Sequence, residues 1–342
     1  MSTTSPTAPP HIRAVYREPD GTFHASWPVA RFGEVLAIPG GTLWVDVESG
    51  DEGLASVEAL FRDVFRFHPL AIEDALQDTN SPKLDDWGEY LYSVFKAIRL
   101  DPHTFDLEFD ELDVFLGKNY LVTCHVGPVA VLTDLRQQIE REEGARLERG
   151  PDHLFYLLLD RGVAAFLPAF ERLDDALDAV EDEILSRPTP HVLRTITAVK
   201  HAAVRLHRVL IAQREVLNRL GRDPHPLIDS RDRVYFRDVY DLLVRLHDIS
   251  ETLRDLIAGS LDMYLSALSN RTNDTVKTLT VVTVLVLPLN FLVGFFGMNF
   301  FGDNILLRDA RIPHGELFVL LCLIMLLAPY GMWLLGRWRR WF

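Results

Sequence analysis

Cysteine is almost missing from this chain. There are two, Cys124 and Cys322. The second sits inside a long apolar run, which argues against a disulfide between them, and no zinc-type spacing exists. Positive charge is also scarce. Lys and Arg total 35 against 49 Asp and Glu, a net charge of −14, which argues against nucleic acid as a partner. No Gly-rich phosphate loop, nucleotide motif or nucleophile–base constellation is present, so neither ATP-driven work nor enzymatic catalysis is indicated. The first residues, MSTTSPTAPPHIR, lack the apolar core of a signal peptide. They predict a soluble body that stays in the cytosol, preceded by a disordered tail over residues 1–10.

What the sequence does have is apolar length near its end. Between Lys277 and Asp303 lie 25 residues without a charge, and Leu317–Gly336 gives another 20. A bilayer is crossed by about 20 apolar residues in a helix. Two spans are therefore expected, over residues 277–301 and 317–336, joined by an external loop at 302–316. The competing reading, a pair of buried core helices, requires apolar runs longer than soluble helices normally carry. Arg271 and Lys277 flank the first span, and Arg337, Arg339 and Arg340 flank the second, leading into a basic tail at 337–342. The loop holds only Arg308 and Arg311. The excess of basic residues puts both termini on the cytoplasmic side. Trp333, Trp338 and Trp341 suit an interfacial belt there.

Ahead of the spans, β-type runs at Ile12–Arg17, Phe23–Trp27, Leu43–Val47, Leu91–Leu100, Glu108–Leu116 and Tyr120–Val126 alternate with helical periodicity over 54–67 and 129–147. Residues 11–150 are thus expected to form an α/β domain. Residues 151–276 read as a helical stalk. Its runs are 153–186, 192–220, and one helix from about residue 232 through the membrane to Asn299, roughly 100 Å long. The seam of that last helix, Val239, Leu242, Leu246, Ile249, Leu253 and Leu256, alternates steps of three and four. It is expected to pack on the two preceding helices. Continued, it reaches Ser260, Met263, Ala267, Asn270 and Asp274, becoming small and polar. Two spans cannot enclose a pathway, so conduction would need several copies around an axis. The acidic run Glu171, Asp174, Asp175, Asp178, Glu181, Asp182 and Glu183 reads as a solvated helix face, with a gate-like contact to the basic cluster as the other reading. His201 and His207 read as surface residues.

Gly297-Met298-Asn299 stands at the outer end of the first span. With YFRDVYD at 235–241, LDMYLSALSNRTN at 261–273, PLNFLVGFFGMNF at 288–300 and HPLAIED at 68–74, it makes the chain resemble the CorA family of divalent metal-ion transporters over residues 40–342. The resemblance implies an α+β cytoplasmic domain, an αβα sandwich, followed by a long stalk helix and a two-span transmembrane hairpin. It also implies assembly as a homopentameric funnel in the inner membrane. It makes the first span pore-lining and the second an outer ring against the lipid bilayer.

Mg²⁺ is a hard cation that sheds water reluctantly. A ring of Asn299 carboxamides would hold it hydrated, with Gly297 allowing the tight backbone; Asn299 as a helix C-cap is the alternative role and compatible with the first. Below it on one helical face come Gly294, Asn290, Leu287, Thr283, Leu279, Val276 and Asn273, which the resemblance makes pore-lining. Leu287 and Leu279 would be dewetting constrictions, or simply helix contacts. Asn290, where the family pattern has threonine, is costly facing lipid. Asp262 and Asp274 would form acidic rings in the funnel, or remain solvated acids. Lys277, Arg337, Arg339 and Arg340 form the basic cluster at the inner membrane face. The resemblance further implies a regulatory intersubunit Mg²⁺ site of Asp74, with Glu73 auxiliary, and Asp238 of the neighbour.

The expectation is Mg²⁺ influx driven by membrane potential and gated by cytosolic Mg²⁺, with Co²⁺ or Ni²⁺ as further substrates. The loop FFGDNILLRDARIPHGE lacks the Met-Pro-Glu of many magnesium-type members. This keeps a proton-coupled Zn²⁺ transporter of the same superfamily as the alternative. A non-conducting membrane-anchored sensor is the second.

Overall fold

A computed structural model of the chain describes residues 11–50, 53–77, 81–101, 104–297 and 314–338. The chain divides into two compact units, Met1–Leu261 and Asp262–Phe342. In order, the elements are β1 His11–Arg17, β2 Phe23–His24, α1 Phe32–Leu36, β3 Thr42–Ser49, α2 Leu54–Ala59, α3 Pro69–Leu76, β4 Lys83–Asp86, β5 Leu91–Leu100, β6 Leu107–Leu116, β7 Tyr120–Val126, α4 Ala130–Arg141, α5 Pro151–Ala164, α6 Leu167–Ser186, α7 Pro190–Arg222, α8 Arg233–Gly297 and α9 His314–Trp338. Tail residues 1–10 lie outside the described residues.

The strands form one mixed sheet in the order β2-β1-β3-β7-β6-β5-β4. β3 and β7 are parallel, with Val45 opposite Val122; the other neighbours are antiparallel. The parallel pair needs a crossover, and the chain between them supplies the hairpins β4–β5–β6. Alternation sorts the side chains by face. Leu43, Val45, Val47, Val122, Tyr92 and Phe115 pack with Phe32, Phe61, Phe65 and Phe67 from the α1–α3 side. The opposite face is covered by α4 and α5. Helix α5 comes close to β5 because residue 162 is glycine: a Cβ there would sit 2.5 Å from a Phe95 ring carbon. The architecture is the expected αβα sandwich.

On the α4 side lies a buried polar cluster. The Thr123 hydroxyl donates to Asp46 Oδ1 at 2.7 Å and accepts from the Trp44 indole at 3.2 Å. His125 Nε2 is 3.3 Å and Arg136 3.6 Å from the same carboxylate, and the Arg136 guanidinium lies 4.9 Å from the Trp44 ring centroid. Burial alone would push the Asp46 carboxyl up, but close approach of the His125 imidazole, the Thr123 hydrogen bond and the Arg136 charge hold it below its ordinary value.

Three differences from the sequence reading have physical causes. The helical stretch 153–186 is broken at residues 165–166, ahead of Pro168, which cannot supply the amide a continuous helix needs. Strand β4, which is short and charged (KLDD), is not among the expected strands; edge strands carry such residues. The buried seam of α8 is Phe236, Val239, Leu243, Leu246, Ser250, Leu253, Ile257 and Ser260. It shares Val239, Leu246 and Leu253 with the expected seam. Ile249 and Leu256, however, are 40% and 44% exposed, one step round the helix. Steps of three then four give a coiled-coil seam in either phase, so spacing alone does not select the phase. Helix α7 presents a matching seam, Ile196, Val199, Ala203, Leu206, Leu210, Gln213 and Leu217. His207 is not a plain surface residue: its ring stacks on His247 of α8 at 4.9 Å. Of the acidic run, Glu181 accepts a hydrogen bond from Ser260 at 2.6 Å and Glu183 one from Thr189 at 3.0 Å. Glu171, Asp174, Asp175, Asp178 and Asp182 are solvated.

Removing Asp46 strands the buried Arg136 guanidinium and leaves the His125 imidazole and Thr123 hydroxyl without their carboxylate. Asp46→Ala is expected to cost about 3 kcal/mol, measured by thermal unfolding of the detergent-solubilised protein. Because the folded carboxyl is held low, its contribution is present above its ordinary pKa near 3.8 and is lost as pH falls below that. The difference between wild type and mutant should shrink in that acid range.

Candidate functional site

The start of α8 is fixed before anything else on it can be. Asp232 is buried and accepts from Arg149 at 2.7 Å and pairs with His153 Nδ1 at 2.9 Å. The Arg149 guanidinium lies 4.8 Å from the Tyr235 ring centroid. One turn earlier, Asp152 accepts the Asp229 backbone N–H at 2.9 Å. Burial and the Arg149 charge push His153 below its ordinary value, against the pull of Asp232. The first turn of α8 is thereby tied to α5.

Asp238, the regulatory candidate of α8, is exposed. Asp160 of α5 has its carboxyl pushed up by burial and then by the Asp238 charge. Sequence reasoning does not single out Asp160. The signal available is a lone acid directly after the apolar Leu157-Leu158-Leu159. Tyr156 stands in the same place and also feels both carboxylates.

Asp74 lies near the end of α3, a helix opened by Pro69 and capped by His68 Nδ1, which accepts from the Leu70 amide at 3.2 Å. Its neighbour is a cation. Lys83 Nζ of β4 is in direct contact with Asp74 Oδ2, 3.1 Å from Asp85 Oδ2 and 5.1 Å from the Tyr92 ring centroid. Burial pulls the Lys83 ammonium down, but its hydrogen bonds to Asp74 and Asp85 outweigh this and hold it above its ordinary value. Glu73 is exposed and accepts from Gln77 at 3.1 Å. Within one chain, then, Asp74 is in contact with Lys83, and the charge of Asp238 is felt by Asp160.

Among the described residues no three His, Cys, Asp or Glu side chains form a metal-binding group. The candidates Asp74, Asp160 and Asp238 are carboxylates, the hard oxygen donors of which Mg²⁺ takes one or two while keeping several waters. They are not the nitrogen and sulfur donors of structural zinc.

The second unit carries the conduction candidates. Asn273, Val276, Leu279, Thr283, Leu287, Asn290 and Gly294 are all exposed along α8, with Leu279 at 65% and Leu287 at 67%. The Thr283 hydroxyl donates to the Leu279 carbonyl at 2.8 Å, which leaves its lone pairs outward. Pro288 removes the donor that would meet the Val284 carbonyl. Asp262, Asp274 and Lys277 are exposed. Gly297 ends α8, while Met298 and Asn299 lie outside the described residues, as do Arg339 and Arg340. Arg337 lies over the Trp333 ring at 5.5 Å. The apolar stretch of α8 is long enough to cross a membrane and none of it is buried by protein. The α5–α6 stretch is also long and apolar, yet most of it is buried in the first unit. Exposed apolar surface of this extent calls for lipid or partner chains.

An αβα body and one long helix that runs on into an uncovered apolar segment mark a membrane protein. Comparison with known proteins agrees. Residues 39–337 match the family described as CorA-like Mg²⁺ transporter protein, and the chain belongs to that family. It is 35% identical over 238 residues to the cobalt/magnesium transport protein CorA of Thermotoga maritima, covering 70% of this chain and 68% of that one. It is 21% identical to the zinc transport protein ZntB of Pectobacterium atrosepticum over 78% of this chain and 79% of that one. The solved structure of the CorA magnesium transporter from Methanocaldococcus jannaschii superposes with a TM-score of 0.73 at 21% identity, covering 93% of this chain and 96% of that one. The protein is accordingly a divalent-cation transporter of the membrane and not an enzyme.

Asp232→Ala should release the first turn of α8. The expected cost is about 3 kcal/mol, for a buried charge network broken on one side. Hydrogen exchange at residues 235–236 should accelerate while the β3–β7 pairing keeps its protection.

Proposed function

We propose that this protein is a homopentameric channel that admits Mg²⁺ through the inner membrane, with both termini cytoplasmic and with Co²⁺ or Ni²⁺ as further substrates. The observation that carries this reading is the uncovered, uncharged face of α8. There, outward acceptors at Thr283 and Asn290 alternate with Leu279 and Leu287. Neutral oxygens bind a hydrated divalent cation weakly enough for it to leave, and rings of leucine side chains can stop it by dewetting. Gly297, Met298 and Asn299 form the outer entrance, and Asn299 supplies the carboxamide ring that selects the ion. Asn273 and Val276 continue the pathway inward. Asp262 and Asp274 concentrate cations below the pore, and Lys277, Arg337, Arg339 and Arg340 collar its inner mouth. The names of the magnesium-transporting relatives support the choice of ion. Membrane potential drives entry by about 4.6 kcal/mol per Mg²⁺ at 100 mV.

Cytosolic Mg²⁺ closes the channel. Asp238 and Asp160 of one copy and Asp74 and Glu73 of the next hold the ion between them, so it acts as a clasp on the start of α8. When Mg²⁺ falls, the carboxylates repel and the clasp opens. The like charge of Asp238, which after burial pushes the Asp160 carboxyl up, supports this.

The similarity to a zinc transport protein and the departures at Asn290 and the external loop support Zn²⁺ as the second reading. Purified protein in proteoliposomes, loaded in turn with Mg²⁺- and Zn²⁺-sensitive dyes, separates the two. Mg²⁺ entry that is abolished by Asn299→Ala and that persists at high internal Mg²⁺ in Asp238→Asn is the expected outcome. Zn²⁺ entry that follows a proton gradient, without Mg²⁺ entry, would transfer the protein to the second reading. No entry of either ion would refute transport through this pathway.

A further inference from the structure

The Asp74 carboxylate already has a cation of its own. Lys83 reaches it across the gap between α3 and the edge strand β4. The ammonium is held from three sides, by Asp74, by Asp85 at 3.1 Å and by the face of Tyr92 at 5.1 Å. Lys83 is only 30% exposed and Asp74 only 39%, so the contact is screened less than a surface pair. Lys83 leaves β4 from a fixed register, with its Cα opposite Val94, so the ammonium cannot wander far from Asp74.

We propose that Lys83 is a built-in competitor for the divalent cation at Asp74, setting the Mg²⁺ concentration at which the regulatory site fills. The inference rests on the proposed regulatory role of Asp74. A divalent cation arriving at Asp74 meets a fixed positive charge a few ångströms away. Either the ammonium withdraws toward Asp85 and Tyr92, or the two repel. Both outcomes weaken binding of the ion relative to a site without the lysine. Asp85 and Tyr92 then have a definite use: they receive the displaced ammonium, so that the exchange leaves no charge unpaired. A site weakened in this way fills only when cytosolic Mg²⁺ is plentiful, as a sensor of that ion requires. A site of bare carboxylates would stay filled at low concentration.

The test is Mg²⁺-dependent protection of the full-length detergent-solubilised protein from limited proteolysis, titrated with MgCl₂ from an EDTA-stripped start. Lys83→Gln removes the charge. Lys83→Met removes it while keeping the aliphatic stem against Tyr92, so a loss of packing in the first variant does not obscure the result. Both should bring the protection midpoint down about tenfold, since a unit charge at this range in a partly screened site is worth at least that. Lys83→Arg, which keeps the charge, should keep the wild-type midpoint. Asp74→Asn should move it upward. If the midpoint is unmoved or raised in both charge-removed variants while Asp74→Asn still weakens protection, Lys83 is not a competitor, though the regulatory site stands. If wild type gains no protection from Mg²⁺ at all, the regulatory reading falls and this inference with it.

Discussion

One buried carboxylate anchors the longest helix of the chain. Asp232 joins Arg149 and His153 to the first turn of α8, and α8 then contributes residues to both units of the chain. An isolated helix has no reason to start at any particular residue, because the first turn costs entropy before it is repaid. Tying its first turn to α5 removes that freedom. It also sets the rotational phase of the helix, and phase decides which side chains meet α7 and which are left for other contacts.

Negative charge is handled in three ways in the first unit, and each suits its place. Asp46 is buried, hydrogen-bonded by Thr123 and flanked by His125 at 3.3 Å and Arg136 at 3.6 Å, which links the sheet to α4. Asp74 is half-buried and matched by one lysine, an arrangement another cation can displace. Asp160 feels the like charge of Asp238. The series runs from permanent neutralisation, through an exchangeable partner, to a pair of like charges. The candidate sensing residues belong to the last two, where solvent reaches the carboxylates, and not to the interior.

The sandwich and its covering helices were legible because alternation of two and periods of 3.6 are strong signals in strands such as TLWVDVES and helices such as α7. Length alone made the apolar segment legible. The phase of the α8 seam was not, since Val239, Leu246 and Leu253 belong to both possible seams and only packing on α7 chooses Leu243 over Leu242. Strand β4 escaped because KLDD has no apolar pattern of its own and is held by pairing with β5. Asp160 and Lys83 escaped for a related reason. Their meaning comes from a partner distant in sequence or across a turn, and neither belongs to a motif. The Gly-Met-Asn tripeptide is the reverse case. It was the clearest signal in the sequence, yet Met298 and Asn299 lie outside the described residues.

The central claim is that this chain passes a divalent cation along α8 down its electrical gradient. Its most direct test is the reversal potential of purified protein in a planar bilayer under MgCl₂ gradients at constant pH. A pathway for Mg²⁺ requires the reversal potential to shift by about 30 mV for each tenfold change in Mg²⁺ activity, the value for two charges per ion. A reversal potential that ignores Mg²⁺ and moves with the pH difference instead would contradict the account.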